Sequence, residues 1–407
     1  MISKIHIQNF RSIGQISPIE LGKITVLTGA NNSGKSSILY GLMILQDFLR
    51  NPNRSLEDLF ALPFINLGGF SEVKSKFDAL NEYIDLGITA EQESNLGAFG
   101  VSYRLFLGAG KTFIKLSSDS GPFSFEARMS IGLPYVPVTE TYQKAQFKRN
   151  DTEILFGWNG FTASLKPRLD VFSELEESII SALQTPVNEL FATDFAPISR
   201  NFTKPYYNMV PMRGIIQTEE EVATMLKSEP ATLEAVNQYL EKITGRTLEL
   251  PGNGTPGLFS LLARNAQSGQ TNFLVNEGSG TNQVVTLLAK IFQPGKQFIC
   301  IDEPEIHLHP GMVRSLAASF ADMVSSDPKR QFLVSTHSEH FVQALMAKVA
   351  AGSLRPEDVK VYHLSMTETG TAVEHQSINS KGQLEGGLSH FFAEELKSVK
   401  SFFKLTD

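Results

Sequence analysis

The sequence predicts an α/β fold with a buried parallel sheet, and three stretches of the chain carry that expectation. Ile24-Thr25-Val26-Leu27-Thr28 is an apolar, β-branched run of strand length. It leads directly into Gly29-Ala30-Asn31-Asn32-Ser33-Gly34-Lys35-Ser36. Ser37 to Arg50 then sets Ile38, Leu39, Leu42, Met43, Leu45, Phe48 and Leu49 at helical spacing, with Pro52 beyond the end. Two later runs, Gln297 to Ile301 and Gln331 to Ser335, are again strand-like, and each leads into polar residues.

The first of these stretches reads as an anion site. Residues 29–36 satisfy G-x-x-x-x-G-K-[ST] at every required position, between a strand and a helix. A helix N-terminus offers unpaired N–H groups and the positive end of a dipole. Gly29 and Gly34 allow the backbone to turn and approach phosphate oxygens. Lys35 is expected to reach the β- and γ-phosphates, and the Ser36 hydroxyl to ligate Mg²⁺. Gly29, Asn31, Asn32, Ser33, Gly34, Lys35, Ser36 and Ser37 are therefore the expected nucleotide-binding set, with ATP and Mg²⁺ as the cofactors.

A phosphate loop needs a carboxylate for its metal, and the strand ending in Asp302-Glu303-Pro304 supplies one. Asp302 is expected to hold Mg²⁺, directly or through water, and Glu303 to polarise the attacking water. The other reading is an ion pair that only stabilises the fold, but two adjacent acids on a buried strand are costly without a task. His337 follows the next strand, in Ser335-Thr336-His337-Ser338. It reads either as a surface residue or as a donor to the γ-phosphate. Upstream, Gly278-Ser279-Gly280-Thr281-Asn282-Gln283 opens the helical run Val284 to Phe292. Ser279 and Gly280 either face a phosphate or form an ordinary glycine turn.

Bulk properties bound the class. The chain has 407 residues, 42% hydrophobic and 19% charged, which fits a globular protein of two or three domains. No apolar run approaches a membrane span, and Met1 to Ile7 alternates like a strand without a signal-peptide core, so a cytoplasmic protein is expected. The net charge of −7 weighs against a dedicated nucleic-acid binder. Lys144, Lys148 and Arg149 are the densest basic stretch and read as a solvated loop. The single cysteine, Cys300, excludes an internal disulfide and reads as a small core residue.

These elements, in this order, resemble the ATP-binding-cassette heads of the SMC, RecF and OLD (overcoming lysogenisation defect) ATPases. The opening Ile5-His6-Ile7-Gln8-Asn9-Phe10-Arg11-Ser12 is similar to the "I-x-N-F-R-S" start of those proteins. Glu303-Pro304-Glu305-Ile306-His307-Leu308-His309-Pro310 resembles the "E-P-E-x-H-L-H-P" block of the OLD-like branch. Asn66 to Phe70, Pro211-Met212-Arg213 and Val236 to Leu240 are similar to further pieces of that branch. The resemblance implies a P-loop NTPase of the ABC/SMC-head type with an antiparallel β subdomain and a helical insertion. It makes residues 29–36 a Walker A loop, Asp302 and Glu303 a Walker B pair, Gly278 to Gln283 a signature segment and His337 a switch histidine. It places Arg11 near the nucleotide or a dimer partner, and it puts His309 where transporter cassettes carry an aspartate. No Q-loop glutamine is evident; Gln46, three turns into the first helix, reads as a surface residue.

Along the chain, Tyr83 to about Pro167 alternates in the manner of antiparallel strands, with Val101 to Leu107 and Thr112 to Leu116 joined at Gly108-Ala109-Gly110. Val171 to about Leu248 is helical, best in Val171 to Leu183 and Thr232 to Ile243, and Pro251 to Gly257 is a loop. The expected division is a split ATPase head over 1–70 and 250–407, a β subdomain over 71–167 and a helical subdomain over 168–249. Gly382 to Asp407 reads as an amphipathic packing helix or a dock for a partner. The chain lacks sustained heptads and any D-x-D pair, so neither an SMC arm nor the Toprim nuclease of OLD enzymes is expected. The catalytic set is Lys35, Glu303 and His337. The expected activity is ATP-driven formation of a homodimer or higher homo-oligomer. The resemblance implies control of a separately encoded nuclease or toxin in bacterial anti-phage defence, with no membrane partner. A RecF-like ATPase that binds DNA is the alternative.

Overall fold

The computed structural model describes residues 1–78, 80–94, 97–118, 120, 123–136, 141–147, 152–165, 174–212 and 216–385. Lys148, Arg149, Val171 to Ser173, Arg213 and the tail from 386 onward lie outside the described residues. The chain forms two compact units. One comprises Met1–Leu21, Asn31–Thr193 and Leu364–Val373, the other Gly22–Ala30, Asp194–His363 and Glu374–Asp407.

The first unit is built on a nine-stranded antiparallel sheet. Its strand order is Ala163–Leu165, Thr152–Trp158, Thr141–Phe147, Phe123–Ile131, Thr112–Ser118, Gly97–Leu107, Ile84–Ser94, Ile2–Gln8 and Ile19–Glu20. Alternation produces it. Leu105 lies opposite both Leu86 and Ile114, and all three are buried. Among the described residues the two outermost strands are three and two residues long. The helix Lys35–Arg50 packs on strands Ile2–Gln8 and Ile84–Ser94. Gly41 allows this approach: a β-carbon there would lie 2.8 Å from Ile7 Cδ1. Thirteen of its sixteen residues are buried, Gln46 among them. The surface position read for Gln46 is thus corrected. Its Nε2 donates to the Leu190 and Thr193 carbonyls, both at 2.7 Å, at the end of helix Glu174–Phe191.

The second unit holds the parallel strands. A six-stranded sheet runs in the order Thr193–Ala196, Phe298–Asp302, Gln331–Ser335, Ile24–Gly29, Val359–Thr367 and Gly370–Gln376, and of these Phe298–Asp302, Gln331–Ser335 and Ile24–Gly29 lie wholly in this unit. The three central strands pair in parallel. They read as continuous apolar runs because they are buried on both faces. Cys300 lies fully buried among them, and burial pushes its thiol well up. Helices Pro310–Ser326 and Glu339–Ala350 connect the later strands. Phe320 and Phe332 stack at 4.4 Å, with Phe341 edge-on to Phe320. Helices Glu219–Ser228, Pro230–Thr244 and Ser279–Ile291 also belong to this unit. The first is closed by a capping box in which Thr218 accepts from Glu221 N–H.

Candidate functional site

In the second unit, three parallel strands end level with one another. Asp302 pairs with Ser335, and Ser335 with Leu27. The Thr336 N–H donates to the Leu27 carbonyl at 3.0 Å. Side by side, these ends therefore carry Thr28-Gly29-Ala30, Asp302-Glu303 and Thr336-His337. The rim beyond the carboxyl ends of parallel strands is where open α/β sheets bind ligands.

The acids on this rim are held in different ways. Asp302 is 1% exposed, and one of its carboxylate oxygens accepts a hydrogen bond from the Ser335 hydroxyl. Glu303 has a φ of +48°, a conformation a non-glycine residue keeps only when its surroundings enforce it. Its N–H donates to the Ser335 carbonyl at 3.0 Å. Its carboxylate Oε1 lies 3.3 Å from His337 Nε2. The His337 N–H donates to Glu305 Oε1 at 2.7 Å. Burial raises the Glu305 carboxyl above its usual range, against hydrogen bonds from the Thr336 hydroxyl and backbone N–H groups; the Glu303 charge adds to the rise. Arg200, missed by sequence reading, donates from Nη1 to the Asp302 carbonyl at 3.1 Å and from Nη2 to the Glu303 carbonyl at 3.0 Å. Burial lowers its pKa to about 10, opposed by the fields of Glu305, Asp302 and Glu303.

The helix Ser279–Ile291 begins in the same unit. Ser279 is exposed and Gly280 buried. A β-carbon on Gly280 would lie 2.8 Å from the His307 carbonyl, so close packing on the loop after the acidic strand explains this glycine. Asn282 faces inward. Its Oδ1 accepts from Phe202 N–H at 2.7 Å and its Nδ2 donates to the Phe202 carbonyl at 2.8 Å. His309 caps helix Pro310–Ser326, accepting from Gly311 N–H at 3.2 Å.

In the first unit, the rest of the glycine loop leads into helix Lys35–Arg50. Asn32 has a φ of +62° and Gly34 a φ of +105°. Gly34 occupies the cap position, and a glycine brings no side-chain acceptor for the helix's first amides. Lys35, Ser33 and Ser37 are buried, whereas Asn31, Asn32 and Ser36 are not. The Ser33 hydroxyl has no hydrogen-bond partner among the described residues. A β-carbon on Gly34 would lie 2.5 Å from Thr371 Oγ1 and 3.0 Å from Ser12 Oγ, and those two hydroxyls are bonded at 2.9 Å. Arg11 has a φ of +54° and sets its guanidinium over the Tyr40 ring at 5.7 Å.

A profile of the AAA ATPase domain family, AAA_15, matches residues 1–91 and 166–342. The chain belongs to the AAA ATPase domain family. ATP binding and an ATPase of the α/β P-loop class follow from that membership. Among solved structures, this AAA ATPase is similar to an SMC head bound to the C-terminal winged-helix domain of ScpA. The two share 15% identity over 93% of this chain and 98% of that one, with a TM-score of 0.49. It is also similar to the SMC head domain of Thermotoga maritima, with 12% identity over 92% and 98% of the two chains and a TM-score of 0.45. A curated relative, the uncharacterized protein MJECL10 of Methanocaldococcus jannaschii, is 48% identical over 44 residues, 11% of this chain. The matched stretch spans 20%, about a fifth, of that relative. No helix among the described residues is long and apolar enough to cross a membrane.

The two residues with the clearest structural tasks at the strand ends, Arg200 and Ser335, carry no motif of their own. Ser335 could have been suspected as the last residue of an apolar strand. Arg200 stands about a hundred residues from its partners, and nothing local pairs them. Glu305 lay inside the block read from the sequence, but its role as the acceptor for His337 N–H needed the fold.

Proposed function

We propose that this AAA ATPase hydrolyses Mg²⁺-ATP with the residues of the glycine loop and of the level strand ends. Lys35 takes the β- and γ-phosphates, Glu303 polarises the attacking water and His337 donates to the γ-phosphate. Asn31, Asn32, Ser33 and Ser37 line the phosphates. The carrying observation is that Asp302-Glu303 and His337 end strands level with the one that opens the glycine loop. Ser36 and Asp302 would hold Mg²⁺. The donor set fits: a buried carboxylate and a hydroxyl are hard oxygen ligands, and such sites complete the shell with phosphates and water. Mg²⁺, when bound, would neutralise charge on the phosphates.

In this reading ATP joins two protomers, with Ser279 and Gly280 of one meeting the nucleotide of the other and Arg11 close to that contact. Release after hydrolysis passes a change of shape to a separately encoded effector, a nuclease or toxin of bacterial anti-phage defence. The resemblance to OLD-like ATPases supports this last step. The test has two parts. Lys35→Ala abolishes ATP binding in a fluorescent-nucleotide titration, and Glu303→Gln keeps binding but slows turnover about 100-fold or more. Wild-type turnover in Glu303→Gln removes the base assignment. Co-expression with the neighbouring genes should recover an effector whose activity changes with ATP; stimulation by DNA with no such effector favours a DNA-acting ATPase instead.

A further inference from the structure

We propose that Arg200 is a positioning residue for hydrolysis, clamping the turn at Asp302-Glu303 so that the Glu303 carboxylate is held ready for water. The proposal rests on the ATPase reading above and adds a residue to it.

The segment Pro197 to Thr203 crosses the end of the acidic strand. From it, Arg200 reaches two consecutive carbonyls, those of Asp302 and Glu303, while Nη1 also donates to the Pro197 carbonyl at 2.7 Å. These carbonyls lie where the strand ends and the chain turns out through the positive φ of Glu303. A strained residue stays strained only if it is held on both sides. Ser335 holds the Glu303 N–H and Arg200 holds its carbonyl. The planar fork of a guanidinium can span two carbonyls; a lysine ammonium is a single point.

A structural task alone explains this arrangement poorly. Arg200 is 4% exposed, and burying a cation is costly. Its Nε has no partner among the described residues, and its Nη1 and Nη2 donors meet carbonyls rather than carboxylates. What compensates the charge is the field of Asp302, Glu303 and Glu305. The cation thus sits among the acids without occupying any of them. The same segment reaches the start of helix Ser279–Ile291 two residues later, through the paired bonds between Phe202 and Asn282. One strap therefore registers both the turn that carries Glu303 and the segment read as the signature.

The test compares Arg200→Lys and Arg200→Met with wild type by steady-state ATPase kinetics, fluorescent-nucleotide affinity and thermal midpoint. Both variants should keep KM and nucleotide affinity within about threefold, while kcat falls about 10- to 100-fold in Arg200→Met and less, about three- to tenfold, in Arg200→Lys. A kcat within twofold of wild type in either variant overturns the proposal. So does a parallel loss of affinity and kcat that lysine does not relieve, since that is the mark of a structural role. Should Arg200→Met fail to fold, Arg200→Lys decides alone: a lowered kcat at unchanged KM supports the clamp, and a wild-type kcat overturns it. If wild type itself hydrolyses no ATP, the ATPase reading falls and this proposal with it; if wild type is active and both variants match it, only the clamp falls.

Discussion

Among the described residues, five non-glycine residues have a positive φ: Asn9, Arg11, Asn32, Glu303 and His307. All five lie in the stretches that sequence reading singled out, and each is a position where the surroundings must hold the backbone in place. Gly34 is the sharpest test of such a position. Gly34→Ala adds a β-carbon 2.5 Å from Thr371 Oγ1 at a φ of +105°, so both space and conformation oppose it. Nucleotide affinity should fall at least about tenfold and stability by about 1–3 kcal/mol, read by titration and denaturant unfolding. Gln46 tests the opposite case. Gln46→Leu leaves the Leu190 and Thr193 carbonyls without their donor and should cost about 2–3 kcal/mol, with nucleotide affinity unchanged. The glycine loop and the acid pair were legible because their residues are neighbours in the chain. Gln46 was misread because a helix buried nearly all round hides its polar residues inside, where only the fold reveals their partners.

Among elements, the continuous runs 24–28, 297–301 and 331–335 were legible as strands, the first as a buried parallel one, because burial on both faces removes alternation. The strands Gly97–Leu107 and Thr112–Ser118 were legible for the opposite reason, one side chain in and the next out. Neither pattern states which strands pair, so the place of Ile2–Gln8 beside Ile84–Ser94 had no local signal. That pair carries a pH-dependent contact. His6 Nε2 meets Thr89 Oγ1 at 2.8 Å, and burial, with the charges of Arg104 and Lys4, lowers its pKa from 6.5 to about 4. The unfolded chain takes up this proton near pH 6.5 and the native chain only near pH 4. Stability is therefore whole above pH 6.5 and declines as pH falls toward 4, by up to about 3 kcal/mol. Urea midpoints at pH 7, 5.5 and 4.5 should fall along that window in wild type and less steeply in His6→Gln.

For the whole molecule, the family match brackets the chain at 1–91 and 166–342 and leaves most of the antiparallel strands outside it. The order of motifs made the ATPase class legible; the division into units drawn from interleaved segments did not follow from that order, because nearness in space is decided by pairing rather than by sequence distance. If ATP joins two protomers, Glu303→Gln with saturating Mg²⁺-ATP should run at twice the monomer mass in light scattering. Lys35→Ala should stay monomeric, and equal masses for the two would remove ATP-driven association. The nine-stranded sheet has one more consequence. At one side of that sheet the outermost ribbon, Ile19–Glu20, is two residues long, so a neighbouring molecule finds little backbone in it to zip onto. Fibril-like stacking is opposed along that ribbon, and a second copy meeting it would have to be held by side chains rather than by backbone amides.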